Sequence, residues 1–341
     1  MKEQTHRRYN PLTGQWVLVC PKRNKRPWQG EQSDPLPLNH SPYDPHCYLC
    51  PGNLRNNGEK NPSYNSTYSF VNDFSALNPI DSQQQLHNGL LKSKPEAGIC
   101  KVICFSPDHS KTLALMSTDE IQSVIKLWKT EYLELSQIDW INYIQIFENK
   151  GAMMGCSNPH PHGQIWAQES IPDLVATKGS SQLSYYEQHK RSLLLDYVQQ
   201  EKESNERIVV QNEHFVTLVP YWAVWPFEVM ILPTFAMSTI DHLTKEQEVS
   251  LASSIQEVCI RYDNIFKTSF PYSMGIHQAP CDQKEHPEWQ WHMIFNPPLL
   301  RSASIKKHMV GYEMFAGPQR DLTAEKAAEM LRNVSSTHYS L

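Results

Sequence analysis

Asn158-Pro159-His160-Pro161-His162-Gly163-Gln164-Ile165-Trp166 sets two imidazoles two residues apart and a carboxamide two further on. In extended backbone, side chains alternate between the two faces of a strand. His160, His162 and Gln164 then share one face. Pro159 and Pro161 stiffen the approach and remove two backbone donors. Gly163 lets another group come close to the backbone. The segment predicts a strand over 164–167, bordered by a site suited to metal, phosphate or nucleophilic chemistry.

Working outward, a β-rich run covers 140–147, and a helix is expected to start near Ser117. Ser117 and Glu120 have capping-box spacing, and Ile121, Val124, Ile125, Trp128 and Tyr132 recur at helical spacing. Strands are expected over 16–19, 68–71 and 101–105, with long ordered loops around Cys47 and Cys50. A polar stretch, 173–182, then separates two halves, followed by a helix over 185–203 through Leu194, Tyr197 and Val198. The second half repeats the order of the first. Strands at 215–219 and 228–232 precede a helix capped by Thr244 and Gln247 and carrying Val249, Ala252, Ile255, Val258 and Tyr262. A β-rich run at 289–295 follows. Leu115-Met116-Ser117-Thr118-Asp119-Glu120 and Leu243-Thr244-Lys245-Glu246-Gln247-Glu248 open the two helices. This weak repeat suggests an internal duplication. The expected halves are 1–172 and 183–341, with 173–182 as connector.

The chain has 341 residues, enough for two domains or one large duplicated one. Hydrophobic residues at 40% and charged residues at 20% make an ordinary globular mix that buries a sizeable core. A net charge of −5 gives no reason to expect nucleic acid or an anionic membrane as partner. No apolar run approaches the roughly 20 residues of a spanning helix. The first eight residues, Met1 to Arg8, lack an apolar signal-peptide core, so a cytoplasmic location is expected. The eight cysteines are too sparse for a secreted disulfide scaffold.

Cys47-Tyr48-Leu49-Cys50 offers two thiolates at a spacing that binds one Zn²⁺. A thioredoxin-type redox pair normally opens a helix after a strand. Here Asp44-Pro45 precedes the pair and Pro51-Gly52-Asn53 follows, which reads as loop. Two unligated loop cysteines are the plainer alternative. For a metal, the further ligands would be histidines, with His109 and His160 the candidates; such a closed set is structural. His162 would then remain for chemistry. A neutral imidazole attacks phosphorus when its other ring nitrogen donates to a fixed acceptor. Gln164 would hydrogen-bond a phosphoryl oxygen as charge develops there. Arg23 and Arg26 suit phosphate oxygens, although such basic runs are more often solvated. Asn72-Asp73-Phe74 suits ribose hydroxyls and a stacked base, or simply a turn. Neither a P-loop nor a G-x-G-x-x-G is present.

Together these residues resemble the galactose-1-phosphate uridylyltransferase family of the histidine triad superfamily. The likeness runs from Arg7-Arg8-Tyr9-Asn10-Pro11-Leu12-Thr13-Gly14 through Phe147-Glu148-Asn149-Lys150-Gly151 and Gly155–His162. It continues through Phe270-Pro271-Tyr272-Ser273-Met274-Gly275 and Pro297-Pro298-Leu299-Leu300-Arg301-Ser302 to Val310-Gly311-Tyr312-Glu313-Met314. The resemblance implies an α+β fold, a duplicated histidine-triad-like unit with an antiparallel half-barrel sheet and packed helices. It implies a ping-pong reaction in which UDP-glucose uridylylates His162, releasing glucose 1-phosphate, and galactose 1-phosphate then takes the uridylyl group to give UDP-galactose. A related chemistry on ADP-glucose or dinucleoside polyphosphates is the alternative.

The resemblance also assigns roles. Cys47, Cys50, His109 and His160 match the family's zinc ligands, one zinc per chain. Gln164 matches the residue that contacts the transferred phosphoryl group. Arg23, Arg26, Asn72, Asp73, Asn149, Gly155, Cys156 and Ser157 match positions around the nucleotide. Lys307, Tyr312, Glu313 and Gln319 match positions at the sugar phosphate, and His308 stands among them where Phe is common in the family. The family completes its site across a homodimer, so these last residues would act in trans. Many members carry a second structural metal, an iron held by one Glu and three His. His277 and His292 match two of its ligands, but the third histidine position is Ile294 and the glutamate position falls near Lys178. This second site is therefore expected to be empty or weak.

Overall fold

The computed structural model describes residues 4–25, 41–79 and 86–341. In chain order the first half contains β1 (His6–Asn10), β2 (Gln15–Val19), β3 (Tyr68–Val71), β4 (Leu86–Asn88), β5 (Leu91–Ser93), β6 (Gly98–Cys104), α1 (Thr118–Ser136), β7 (Tyr143–Lys150) and β8 (His162–Gln168). Helices α2 (Asp173–His189) and α3 (Leu193–Ser204) follow. The second half contains β9 (Ile208–Gln211), β10 (Phe215–Leu218), β11 (Val229–Pro233), α4 (Lys245–Phe266), β12 (Tyr272–His277) and β13 (His292–Asn296). The chain then adds β14 (Leu299–Ser302), β15 (Ile305–Lys306), α5 (Tyr312–Phe315), β16 (Gln319–Arg320) and α6 (Ala324–Asn333).

Nine strands form one antiparallel sheet in the order β3-β6-β8-β7-β12-β13-β11-β10-β9. The path β3, β6, α1, β7, β8 gives the spatial order β3-β6-β8-β7. The path β10, β11, α4, β12, β13 gives β10-β11-β13-β12, the same route again. The halves join through β7 and β12, with Glu148 opposite Met274. The molecule is thus α+β and internally duplicated.

Both helices that open on the repeated phrases begin as their sequences require. Ser117 and Thr244 each accept from the backbone N–H three residues on, and Glu120 and Gln247 reach back to complete capping boxes. Helices α1 and α4 pack together on one face of the sheet. Trp128, Ile255 and Tyr262 join Ile146, Ile165, Met274 and Phe295 in the main core. Val249, which the spacing puts on the apolar stripe of α4, is 45% exposed.

On the opposite face the halves differ. Over the second half, Leu194 and Tyr197 of α3 and Val17 of β2 cover Val216, Leu218, Met230 and Leu232. Over the first half, among the described residues, the loop carrying Cys47, Leu49 and Cys50 covers Phe70, Val102 and Cys104. The open ground left between that loop and β7–β8 is where the site forms.

The polar stretch 173–182 is helical: it is the first part of α2, which buries only Val175, Lys178 and Gln182. A helix that turns polar residues inward shows no apolar period. The single helix expected over 185–203 is two. Lys190 adopts φ 55°, ending α2, and Ser192 caps α3 by accepting from Leu195 N–H. Strand β12, at the centre of the sheet, went unrecognised. No described helix is long and apolar enough to cross a membrane.

Candidate active site and metal centre

Strand β8 alternates as its sequence requires. Gly163, Ile165 and Ala167 are buried towards the helices, while His162, Gln164 and Trp166 are half-buried on the other face. Gly163 is needed for close approach. A Cβ there would stand 2.8 Å from the Phe105 ring and 2.9 Å from the Phe147 carbonyl oxygen. His160, just before the strand, lies deeper and is fully buried.

The two histidines are fixed in complementary tautomers. His160 Nε2 lies 2.9 Å from the Ser106 carbonyl, an acceptor only, so Nε2 carries the proton and Nδ1 the lone pair. His162 Nδ1 lies 2.7 Å from the His160 carbonyl, so there Nδ1 carries the proton and Nε2 is left unprotonated. Burial pushes the His162 pKa below its usual value, the carbonyl acceptor opposing, which keeps the ring neutral.

Cys47, Cys50, His109 and His160 converge. Their candidate ligand atoms all lie within 4.8 Å of one another, and all four residues are buried. Cys50 Sγ is 3.6 Å from His109 Nδ1 and 3.6 Å from His160 Nδ1. A tetrahedral ion with zinc-like bond lengths separates sulfur from nitrogen ligands by about 3.6 Å. The donor set therefore fits a closed tetrahedral metal site, with His160 presenting its free Nδ1. Asn158 braces it: Nδ2 lies 3.4 Å from Cys47 Sγ, and Oδ1 accepts from His160 N–H at 3.0 Å.

A cavity of about 160 Å³ lies against β8 and brings together Asn72, Asp73, Asn149, Gly155, Cys156, Ser157, His162 and Gln164. Phe70, Phe74 and Val102 supply its apolar wall. Trp166 Nε1–H donates to Gln164 Oε1 at 3.2 Å, so the carboxamide keeps its NH₂ for a ligand. Ser273 of β12 donates to Asn149 Oδ1 at 2.6 Å and orients it similarly. Arg55 Nη1 lies 3.5 Å from Asp73 Oδ1, while its guanidinium stacks over Phe70 at 4.3 Å. Sequence reasoning missed Trp166, Ser273 and Arg55 as positioning residues. Only Trp166 left a signal, its i+2 spacing from Gln164. A further cavity of about 300 Å³ adjoins this one, sharing Asn149, Cys156, Ser157 and His162.

The remaining expected substrate residues gather elsewhere. Arg23, Lys307, His308, Tyr312, Glu313 and Gln319 line a cavity of about 550 Å³ that shares no residue with the His162 cavities. Lys307 Nζ pairs with Glu313 Oε1 at 2.8 Å, and Gln319 N–H donates to the same oxygen at 3.0 Å. Arg23 Nε lies 3.4 Å from Asp321 Oδ1. Within one chain, then, Arg23 stands with Lys307, Glu313 and Gln319 rather than with Asn72 and Asp73. Arg26 lies outside the described residues. His277 and His292 stand opposite each other on β12 and β13, with Lys178 Nζ 3.3 Å from His292 Nε2.

Comparison with known proteins shows the family. The family model described as galactose-1-phosphate uridyl transferase, N-terminal domain, matches residues 1–172, and the C-terminal domain model matches 178–341. The chain is 52% identical over 339 residues to the galactose-1-phosphate uridylyltransferase of Haemophilus influenzae, covering 99% of this chain and 96% of that protein. It is 48% identical to the Rattus norvegicus protein of that name, covering 99% of this chain and 90% of the relative. The fold matches the crystal structure of an ADP-glucose phosphorylase from Arabidopsis thaliana with bound ADP-glucose. That match has a TM-score of 0.76 and 24% identity, covering 97% of this chain and 100% of that one.

Proposed function

The chain belongs to the galactose-1-phosphate uridyl transferase family, and on that footing we propose that it moves a uridylyl group from UDP-glucose to galactose 1-phosphate through a covalent uridylyl-His162. The observation that carries the reading is the tautomer of His162. Its Nδ1–H is held by a backbone carbonyl, and its unprotonated Nε2 belongs to a side chain lining the cavity.

Nε2 attacks the α-phosphorus of UDP-glucose. The bond from that phosphorus to the bridging oxygen breaks, and glucose 1-phosphate leaves with the electron pair. The charge that arises on the imidazole is shared with the His160 carbonyl through Nδ1–H. Gln164 donates from its NH₂ to a non-bridging oxygen as charge gathers there. A phosphate oxygen of galactose 1-phosphate then attacks the same phosphorus, and Nε2 leaves. Asn72 and Asp73 suit the ribose hydroxyls, the Phe74 ring suits the base, and Asn149, Gly155, Cys156 and Ser157 border the phosphates.

Zinc is the ion we assign to Cys47, Cys50, His109 and His160. Bound there by four protein ligands, it supplies structure rather than chemistry. One further assignment rests on the separation of the cavities. Arg23, Lys307, His308, Tyr312, Glu313 and Gln319 would reach the sugar phosphate from the partner of a homodimer. The chain divides into halves at 1–172 and 183–341, joined by a segment that opens α2. A cytoplasmic location suits eight free cysteines, two of them in the metal cluster.

The test is covalent trapping. UDP-glucose labelled in its α-phosphate, without acceptor, should leave an acid-labile label on the wild-type protein and none on His162→Asn. Label and turnover surviving in the variant would refute the assignment. Preferential use of ADP-glucose over UDP-glucose would move the reading to the related phosphorylase chemistry.

A further inference from the structure

His292 and Lys178, both buried, and the half-buried His277 lie together away from the His162 cavities, and the reaction does not use them. His277 and His292 face each other across β12 and β13, their rings stacked 4.9 Å apart at 10°. Both project on the face opposite the main core, as His162 does in the first half. His292 Nδ1–H donates to the Gln290 carbonyl at 3.0 Å, so its lone pair is on Nε2. Lys178 Nζ, on α2, lies 3.3 Å from that Nε2 and is itself buried.

We infer that the Lys178 amino group, on His292 Nε2, has taken the place of a second metal ion, leaving His277, whose buried Nδ1 has no hydrogen-bond partner, as a lone imidazole, so that this half binds no metal. A metal and an amine N–H compete for the one lone pair of His292 Nε2, and the amine already holds it. Among the described residues, no third His, Cys, Asp or Glu ligand atom joins the two imidazoles. Ile294, on the same face two residues on, packs instead against the apolar cluster of α3 and β10–β11. Glu228, whose field favours a charged Lys178, is engaged by the Val224 and Trp225 N–H groups at 2.7 and 3.1 Å.

The replacement also performs a metal's structural task, joining α2 to the sheet. Three α2 residues meet three residues at the entrance to β13. Lys178 reaches His292, and Gln182 Oε1 accepts from Gln290 N–H at 3.1 Å. Gly179 lies against the Trp289 indole, where a Cβ would stand 3.2 Å from Nε1. A helix fixed this way needs no ion to dock.

The inference rests on family membership and not on the reaction, and metal counting tests it without any assay of turnover. Wild-type protein incubated with excess ferrous or zinc ion and desalted should hold one equivalent, lost in Cys50→Ser and kept in His292→Ala. Two equivalents, one of them lost in His292→Ala, would overturn it. The double variant Lys178→Glu/Ile294→His should take up one equivalent more than wild type; none gained would also overturn it. Lys178→Met should lower the melting temperature by several degrees, equally with and without added metal. An unchanged melting temperature would remove Lys178 from the role.

Discussion

His162 Nδ1 lies 2.7 Å from the carbonyl oxygen of His160, the residue whose ring faces Cys50. One peptide unit therefore links the candidate metal cluster to the ring of His162. Because the His160 ring is clamped between Cys50 Sγ and the Ser106 carbonyl, its backbone oxygen cannot drift. That oxygen in turn sets which nitrogen of His162 carries the proton. A metal held by this cluster would therefore act at a distance on the tautomer and orientation of His162.

The same logic predicts unequal losses at Gln164 and Trp166. Gln164→Leu removes the donor to the phosphoryl oxygen and should lower kcat by about 10²–10³. Trp166→Phe leaves the donor but frees its orientation, since Trp166 Nε1–H holds Gln164 Oε1 at 3.2 Å. Its kcat should fall about tenfold, with KM little changed. Steady-state exchange kinetics check both, and a Trp166→Phe defect confined to KM would show that the indole serves binding instead.

Removal of the metal should damage stability before chemistry. Cys50→Ser deletes the ligand that touches both histidines. It should lose the bound ion and lower the melting temperature by at least about 5 °C, an effect of a few kcal/mol in a chain of this size. Label transfer to His162 should fall as well, because the His160 carbonyl is no longer fixed. Calorimetry and elemental analysis on the same samples measure this; a metal-free variant with wild-type melting would contradict a structural role.

What was legible in the sequence was whatever follows from local chemistry. The capping phrases at Ser117 and Thr244 located α1 and α4, since a cap is satisfied within four residues. The alternation in His162–Gln168 located β8 and the face its side chains take. Cys47, Cys50, His109 and His160 could be grouped because metal donors are few and distinctive. Other features depended on partners remote in sequence. Strand β12 escaped notice although Tyr272, Met274 and Ile276 alternate inward, because Gly275 and Ser273 depress its β signal. Helix α2 escaped because its buried Lys178 and Gln182 are polar, and only contact with His292 and Gln290 makes them core residues. Ser273 and Arg55 carry no motif at all; they matter through the residues they hold in place.

Stability in acid should depend on Glu325. Burial opposes its ionisation, but Arg8, bound through both carboxylate oxygens at 3.0 Å, and Arg207, at 2.7 Å, bring its pKa down to about 2. A carboxyl whose folded pKa lies below its unfolded value stabilises the fold above the unfolded pKa. That stabilisation is lost as pH falls through the folded one. Wild type should thus exceed Glu325→Gln by about 1–2 kcal/mol at neutral pH, allowing for solvent screening of a partly exposed group. The difference should shrink between pH 4.5 and about 2. Denaturant unfolding of both proteins across that range tests it, and a constant difference would mean that Glu325 acts by packing alone.

The separation of cavities predicts complementation between inactive chains. His162→Asn spoils the cavity on β8 and leaves the Lys307 cavity intact; Lys307→Met does the reverse. If each site takes His162 from one protomer and Lys307 from its partner, each variant alone is inactive. A mixed dimer, however, contains one complete site and one doubly defective site. Random reassortment of equal amounts makes half the dimers mixed, so about a quarter of wild-type activity should return. If both residues served the same site from the same chain, mixing would restore nothing. The loss of Lys307 leaves Glu313 without its 2.8 Å ion pair, so the melting temperature of that variant must first be shown to support a folded dimer. With that established, a quarter against none separates a site shared across the dimer from one built within a chain.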